Sequence, residues 1–285
     1  MSPINFGRRD IYLSASGRSD VGRQRQNNED RFLISALGPP DPEAPPQAGA
    51  VAVGSKGILL MVADGMGGAA AGEIASEMAT TLIHDRLLAR WAVERGSSPR
   101  DFAFSLEEAI TQANLEIHRR ATDDPQLHGM GSTLTAVGVL GEHLVFTQVG
   151  DSRAYQVREG KVEQVTKDQS LIGHLVEEGR VTKEEAENMA GSNMILQALG
   201  PREEVEVEVT FGKARRGDAL VLCTDGLSGV VGADEIRDAV VRSHDPAAVC
   251  EDLVELANSR GGPDNITVVV GKLTGPGLRI PRRWD

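Results

Sequence analysis

Four times along the chain an apolar run meets an aspartate at a turn: Val62-Ala63-Asp64-Gly65, Val149-Gly150-Asp151-Ser152, Cys223-Thr224-Asp225-Gly226 and Pro263-Asp264-Asn265, the last entering a strand instead of leaving one. A single Asp-Gly at a strand end is ordinarily a turn former or helix cap, because its short carboxylate satisfies nearby backbone N–H groups. Four of them are another matter, since a sheet edge gathers such ends in one place. Two unit charges 4–6 Å apart repel by about 3–4 kcal/mol at an effective dielectric near 20, so converging carboxylates must hold protons or take up cations. The six histidines, His84, His118, His128, His143, His174 and His244, fall in none of the four motifs. That argues against a zinc site of N and S ligands; oxygen donors alone suit Mg²⁺ or Mn²⁺.

Upstream, the polar segment Asp20–Asp30 carries Arg25, Glu29 and Asp30. Composition alone fits a solvated turn between two strands. The chemical reading adds an arginine fork, suited to bidentate phosphate recognition, and an acidic pair at the same sheet edge.

The elements that must position these groups read as strands over Ile11–Ser16, Arg31–Leu37, Gly57–Ala63, Ser132–Leu140, His143–Val149, Arg153–Val157, Val205–Thr210, Ala219–Cys223 and Asn265–Lys272, by their β-branched or alternating apolar pattern. Helical periodicity marks Ala70–Trp91, Asp101–Thr122 and Pro246–Ser259, and shorter helical pieces fall in Gln169–Met194, with a capping box at Thr182–Glu185. The Pro-rich stretch 38–56 reads as a solvated loop insertion, and 275–285 as a peripheral tail. Its Gly49–Lys56 portion resembles a phosphate-binding loop only superficially, with Ser before Lys and no preceding strand. With no internal repeat and no composition shift, one domain over 1–285 is expected.

Composition excludes several classes. The 285 residues are 40% hydrophobic and 25% charged, which rules out collagen, wholesale disorder and a membrane bundle. Thirty Lys and Arg against 42 Asp and Glu give a net charge of −12, so the chain repels nucleic acid on average. Cys223 and Cys250 lack CxxC spacing, and the N-terminus lacks an apolar signal core. No apolar run approaches the length of a membrane span. A reduced, cytoplasmic setting is expected.

Taken together, RxxNED (Arg25–Asp30), VADGMGG (Val62–Gly68), GMGSTL (Gly129–Leu134), VGDSRAY (Val149–Tyr155), ALG (Ala198–Gly200), CTDGL (Cys223–Leu227) and GPDNITVVV (Gly262–Val270) resemble the metal-dependent serine/threonine protein phosphatases of type 2C, the PPM family, in order and spacing over about residues 10–272. The DGMGG form resembles the bacterial branch. The resemblance implies an α+β fold, a four-layer α-β-β-α sandwich with two central, mainly antiparallel sheets and a two-metal centre at one end. It also implies that Asp64 bridges two Mg²⁺ or Mn²⁺ ions and Gly65 lends its carbonyl. Asp225 and Asp264 would ligate one ion, Asp30 with Glu29 would hold the other directly or through water, and Arg25 would clamp the substrate phosphate. A third, looser ion would sit near Asp151 and Asp225. Hydrolysis would proceed by attack of a metal-bridging water on phosphoserine or phosphothreonine of a protein, with no phospho-enzyme.

Three positions depart from the pattern. Met66 stands where many eukaryotic members have a histidine after Asp-Gly, Ala69 where many bacterial members have one after DGMGG, and Asp168-Gln169-Ser170 replaces a bacterial Asp-His-Ser. The general acid is therefore unassigned. The segment 166–194 matches a variable flap whose acidic character favours basic sequences around the phosphorylated residue. A monomeric phosphatase opposing a Ser/Thr kinase is the expected function. A non-catalytic phosphoprotein-binding module of the same fold and a hydrolase of small phosphate esters are the alternatives.

Overall fold

The computed structural model describes residues 10–39, 47, 49–91, 98–182 and 194–281. Parts of the Pro-rich insertion, the capping box proposed at Thr182–Glu185, most of the second half of the flap and the last four residues of the tail lie outside the described residues.

Two antiparallel sheets form the centre. The first contains β1 (Tyr12–Asp20), β3 (Val51–Ala52), β8 (Arg153–Arg158), β9 (Lys161–Gln164), β11 (Ala219–Cys223) and β12 (Ile266–Thr274), in the order β3-β1-β12-β11-β8-β9. The second contains β2 (Asp30–Ala36), β4 (Ile58–Met66), β6 (Leu134–Leu140), β7 (His143–Val149) and β10 (Glu208–Lys213), in the order β10-β7-β6-β4-β2, with the short β5 (Gly131–Ser132) paired to the end of β4. Helices α1 (Ala69–Trp91) and α2 (Pro99–Asp123) pack on the second sheet. Helices α5 (Ala233–Arg242) and α6 (Pro246–Ser259) pack on the first. Two short helices, α3 (Leu171–Glu177) and α4 (Asp225–Ser228), follow β9 and β11.

Strand periodicity produces the four layers. Successive side chains point to opposite faces, so on β4 Leu59 and Met61 enter the core beneath α1 and α2, while Ile58, Leu60 and Val62 enter the core between the sheets. On β12, Val268 and Val270 face α5 and α6, whereas Val269 and Leu273 face the other sheet. Both faces of each central strand are covered, which explains why these strands read as continuous apolar runs and not as alternating ones. Local signals set the helix starts: Ser98 and Asp101 form a capping box ahead of Pro99, and Asp245 accepts from the Ala247 N–H to cap α6.

Most strand and helix expectations hold within a few residues, with informative differences. β10 begins at Glu208, not Val205, because its partner β7 ends at Val149 and Glu208 pairs with Gln148; Val205 and Val207 pack on the helix-side core instead. The expected loop 38–56 contains β3, two residues paired with Tyr12 and Leu13. β9 and α5 were not expected. β9 has one apolar residue, Val162, and is set by a two-residue turn in which Glu159 and Gly160 both have positive φ, 49° and 73°.

The core between the sheets is fully packed, so Leu60→Ala should destabilise the fold by about 2–5 kcal/mol. Phe211→Ala, at a side chain 52% exposed on edge strand β10, should stay within about 0.5 kcal/mol. Urea unfolding of both variants measures the difference, and equal losses would contradict the layer assignment.

Candidate active site

Antiparallel topology brings the carboxylates to one end. Asp30 opens β2 and lies opposite Asp64, near the end of β4, in the strand register. Asp225 begins α4 directly after β11, Asp264 stands two residues before β12, and Asp151 sits in the turn after β7. These five aspartates from separate segments feel one another: Asp64 is influenced by the charges of Asp30, Asp225 and Asp151, and Asp225 by that of Asp264. Arg25 donates from Nη2 to Asp264 Oδ2 at 2.7 Å, and Glu29 feels both Arg25 and Asp264. All the residues singled out in the sequence therefore meet at one end of the sandwich.

Gly65 is fitted by close approach. A Cβ there would lie 2.1 Å from the Gly72 carbonyl oxygen and 2.8 Å from that of Glu29, so a side chain would push α1 away from the cluster. Its N–H donates to the Glu29 carbonyl at 3.2 Å, which ties β4 to the end of the segment carrying Arg25.

The electrostatics run against ionisation. Burial, only partly offset by hydroxyl hydrogen bonds from Thr267 and Thr224, raises the Asp30 carboxyl to about 7. Burial and then the Asp225 charge raise Asp151 to about 7. Asp64 is pushed well above the usual carboxylate range by burial, then by the charges of Asp30, Asp225 and Asp151. Asp225 and Glu29 are also raised, chiefly by burial, while the Asp264 hydrogen bond raises the Arg25 guanidinium further. Asp30 Oδ1, Asp151 Oδ1 and Asp225 Oδ1 are buried with no hydrogen-bond partner. Among the described residues, no group of three or more His, Cys, Asp or Glu side chains is already arranged to hold a metal ion.

Several supporting groups were not singled out from the sequence. The Thr224 hydroxyl donates to Asp30 Oδ2 at 2.8 Å and accepts from the Thr267 N–H at 3.0 Å, linking the two sheets at the site. Thr133 Oγ1 accepts from the Asp64 N–H at 3.0 Å and bonds Ser152 Oγ at 2.7 Å, linking the Asp64 strand to the Asp151 turn. Gln169, at the altered Asp-His-Ser position, accepts from the Gly150 N–H at 2.8 Å through its side chain, while Asp168 pairs with Arg153 at 2.6 Å. Asn265 holds three backbone groups of segment 21–29. Their positions beside the aspartate motifs were the available signal, but hydroxyl and amide residues at strand ends are too common to stand out. Of the histidines, His84 bonds Ser35 Oγ and His118 the Gly200 carbonyl, both on other elements.

A profile of the family described as protein phosphatase 2C matches residues 47–266. The serine/threonine protein phosphatase PstP of Mycobacterium tuberculosis is 38% identical over 261 residues, 91% of this chain but 45% of that protein. This chain thus spans about half the length of that relative. The serine/threonine phosphatase stp of Listeria monocytogenes is 33% identical over 258 residues, 90% of this chain and 95% of that one. The crystal structure of the M. tuberculosis phosphatase superposes with a TM-score of 0.76 over 92% of this chain and 99% of that chain. A structure of the PstP catalytic domain in complex with two manganese ions superposes with a TM-score of 0.74 at 38% identity, over 93% of this chain and 99% of that chain. With its motifs in order, its two-sheet sandwich and its aspartates gathered at one end, this chain belongs to the protein phosphatase 2C family.

Proposed function

We propose that this chain is a Mg²⁺- or Mn²⁺-dependent phosphatase that removes phosphate from phosphoserine and phosphothreonine in proteins. It works as a cytoplasmic monomer opposing a Ser/Thr kinase. Among the described residues no helix is long and apolar enough to cross a membrane. The observation that supports the reading most directly is the set of buried, unpartnered carboxylate oxygens on Asp30, Asp151 and Asp225, at the same end as the Arg25–Asp264 pair. A buried carboxylate oxygen without a hydrogen bond is costly, and hard divalent cations take oxygen ligands.

The residues present fit such ions. Asp64, the Gly65 carbonyl, Asp225, Asp264 and Asp30 with Glu29 would hold two cations, and Asp151 with Asp225 a third. When bound, the cations supply the Lewis acidity that activates water towards phosphorus. Arg25 keeps its charge at any working pH and carries a planar fork of donors matched to phosphoryl oxygens. A cation on Asp264 would compete with Arg25 for that carboxylate, leaving the fork available to bind and orient the phosphoryl group. No side chain has to attack phosphorus. Burial pushes the Cys223 and Cys250 thiols up to about 12, so neither supplies a thiolate near neutral pH.

Two predictions follow from these assignments. Phosphate release from a phosphothreonine peptide should require Mn²⁺ or Mg²⁺ and stop with EDTA. Asp225→Asn should lower kcat/KM by roughly 10²–10³-fold, the scale of losing one transition-state electrostatic contact. Turnover unaffected by EDTA, or a variant as active as wild type, would sink the assignment. The second concerns pH. Asp30 and Asp151 titrate at about 7 in the metal-free fold but near 3.9 when unfolded, so the folded state binds more protons between those values. Their contribution to stability is present below about pH 4 and is lost as pH rises through about 7. Thermal melts in EDTA should therefore show Tm falling from pH 5 to pH 8, with Mn²⁺ raising Tm most at pH 8. A metal-free Tm flat across that range would contradict the charge assignment.

A further inference from the structure

Asn265 lies in the motif GPDNITVVV, and in the fold it is 5% exposed with both ends of its amide hydrogen-bonded. Its Nδ2 donates to the carbonyl of Val21 at 3.0 Å and to that of Asn27 at 2.8 Å, and its Oδ1 accepts from the Glu29 N–H at 2.8 Å. A primary amide offers two donor hydrogens and a carbonyl acceptor, and all are spent on one segment, 21–29. That segment carries Arg25 at its exposed middle and leads into Glu29 and Asp30.

The near end of the segment has other anchors. The Arg23 N–H donates to the Gly262 carbonyl at 2.8 Å, and Gly22, at φ +80°, has no room for a Cβ, which would lie 2.1 Å from the Asp264 carbonyl oxygen. At the far end, Asn28 Nδ2 donates to Ser19 Oγ at 2.8 Å. Asn265 is the group that touches both ends at once. The Arg25 side chain is 52% exposed and is held here by Asp264. A cation on Asp264 would compete with Arg25 for that carboxylate, whereas the backbone beneath Arg25 is held independently of Asp264 by the Asn265 amide.

We propose that Asn265 is the positioning residue of the phosphate clamp: its amide sets the spacing of the two ends of segment 21–29 and so places the Arg25 guanidinium for phosphoryl oxygens. The proposal rests on the reading of Arg25 as the phosphate-binding group. Substitution should therefore weaken phosphate binding through Arg25 and leave the chemical step nearly intact.

The test uses the full chain with Mn²⁺, comparing wild type, Asn265→Ala, the isosteric Asn265→Asp, Arg25→Ala and the two double variants. Asn265→Asp keeps the acceptor but replaces the donating nitrogen with an oxygen facing two carbonyls, and it decides the matter should Asn265→Ala fail to fold. Calorimetric titration with inorganic phosphate should show ~10-fold weaker binding in each single Asn265 variant, a loss typical of a slightly misplaced binding group. KM for a phosphothreonine peptide should rise by a similar factor, with kcat within ~3-fold. In the Arg25→Ala background the same Asn265 changes should alter phosphate affinity by less than ~2-fold, because interacting residues are non-additive. Hydrogen exchange should quicken in residues 21–29 and not in β4. Unchanged phosphate affinity in the Asn265 variants, or an equal loss with and without Arg25, would overturn the proposal. A wild type that binds phosphate but does not hydrolyse the peptide would overturn the phosphatase reading alone, since the phosphate cycle still decides the role of Asn265.

Discussion

Everything at the working end of this molecule answers to one constraint: negative charge gathered where water is scarce. Five aspartates from separate segments share one end of the sandwich, and burial is the largest influence on Asp30, Asp64, Asp151 and Asp225. A carboxylate removed from water is stable only if it is protonated, hydrogen-bonded or paired with a cation. The fold supplies a few hydroxyls and one guanidinium. Three buried oxygens still have no partner, the deficit on which the proposed cation binding rests.

Holding such a cluster together requires rigidity that the cluster cannot supply, and the sheets supply it. Because all the strand pairs are antiparallel, alternate strand ends fall on the same side, so β2, β4, β7, β11 and β12 can each deliver a group to one place. Layered apolar burial fixes the register: a one-residue slip of β4 would turn Leu60 and Val62 out of the core between the sheets and move Asp64 off Asp30. Buried polar links between layers also gather at the site. Thr224 joins the sheets at Asp30, and buried Thr135 and Gln148 continue the Thr133–Ser152 connection, bonding each other at 2.6 Å. A polar network there is affordable because nearly every member is satisfied within it.

Legibility in the sequence follows the same division. The aspartates were readable because each ends or opens an apolar run, and a strand end is a place the pattern can locate. The sandwich was readable because strands buried on both faces are unusually apolar, as in Ile58–Ala63 and Val268–Val270. What escaped was made by partners remote in sequence. β9 is a strand because β8 lies beside it and a turn reverses the chain, not because Lys161–Gln164 resembles one. Asn265 and Thr224 are ordinary polar residues until segment 21–29 and Asp30 are folded against them, from separations of 236 and 194 residues. Single-sequence patterns report local periodicity and carry little of such long-range pairing.

The Arg25–Asp264 pair ties the exposed guanidinium to one carboxylate of the cluster. Half exposed, the pair contributes little to stability by itself, since water and salt screen it. Its value lies in being exchangeable. On the proposed function, a cation would offer Asp264 a stronger partner than a guanidinium does, and a phosphoryl group would offer Arg25 a matched anion, so both exchanges would run in the same direction. An arginine buried against Asp264 would resist that exchange, and one with no partner would leave the cluster more negative still. The half-exposed position on a segment held at both ends by one amide meets both demands, so the departure of Asp264 frees the guanidinium without freeing the backbone that carries it.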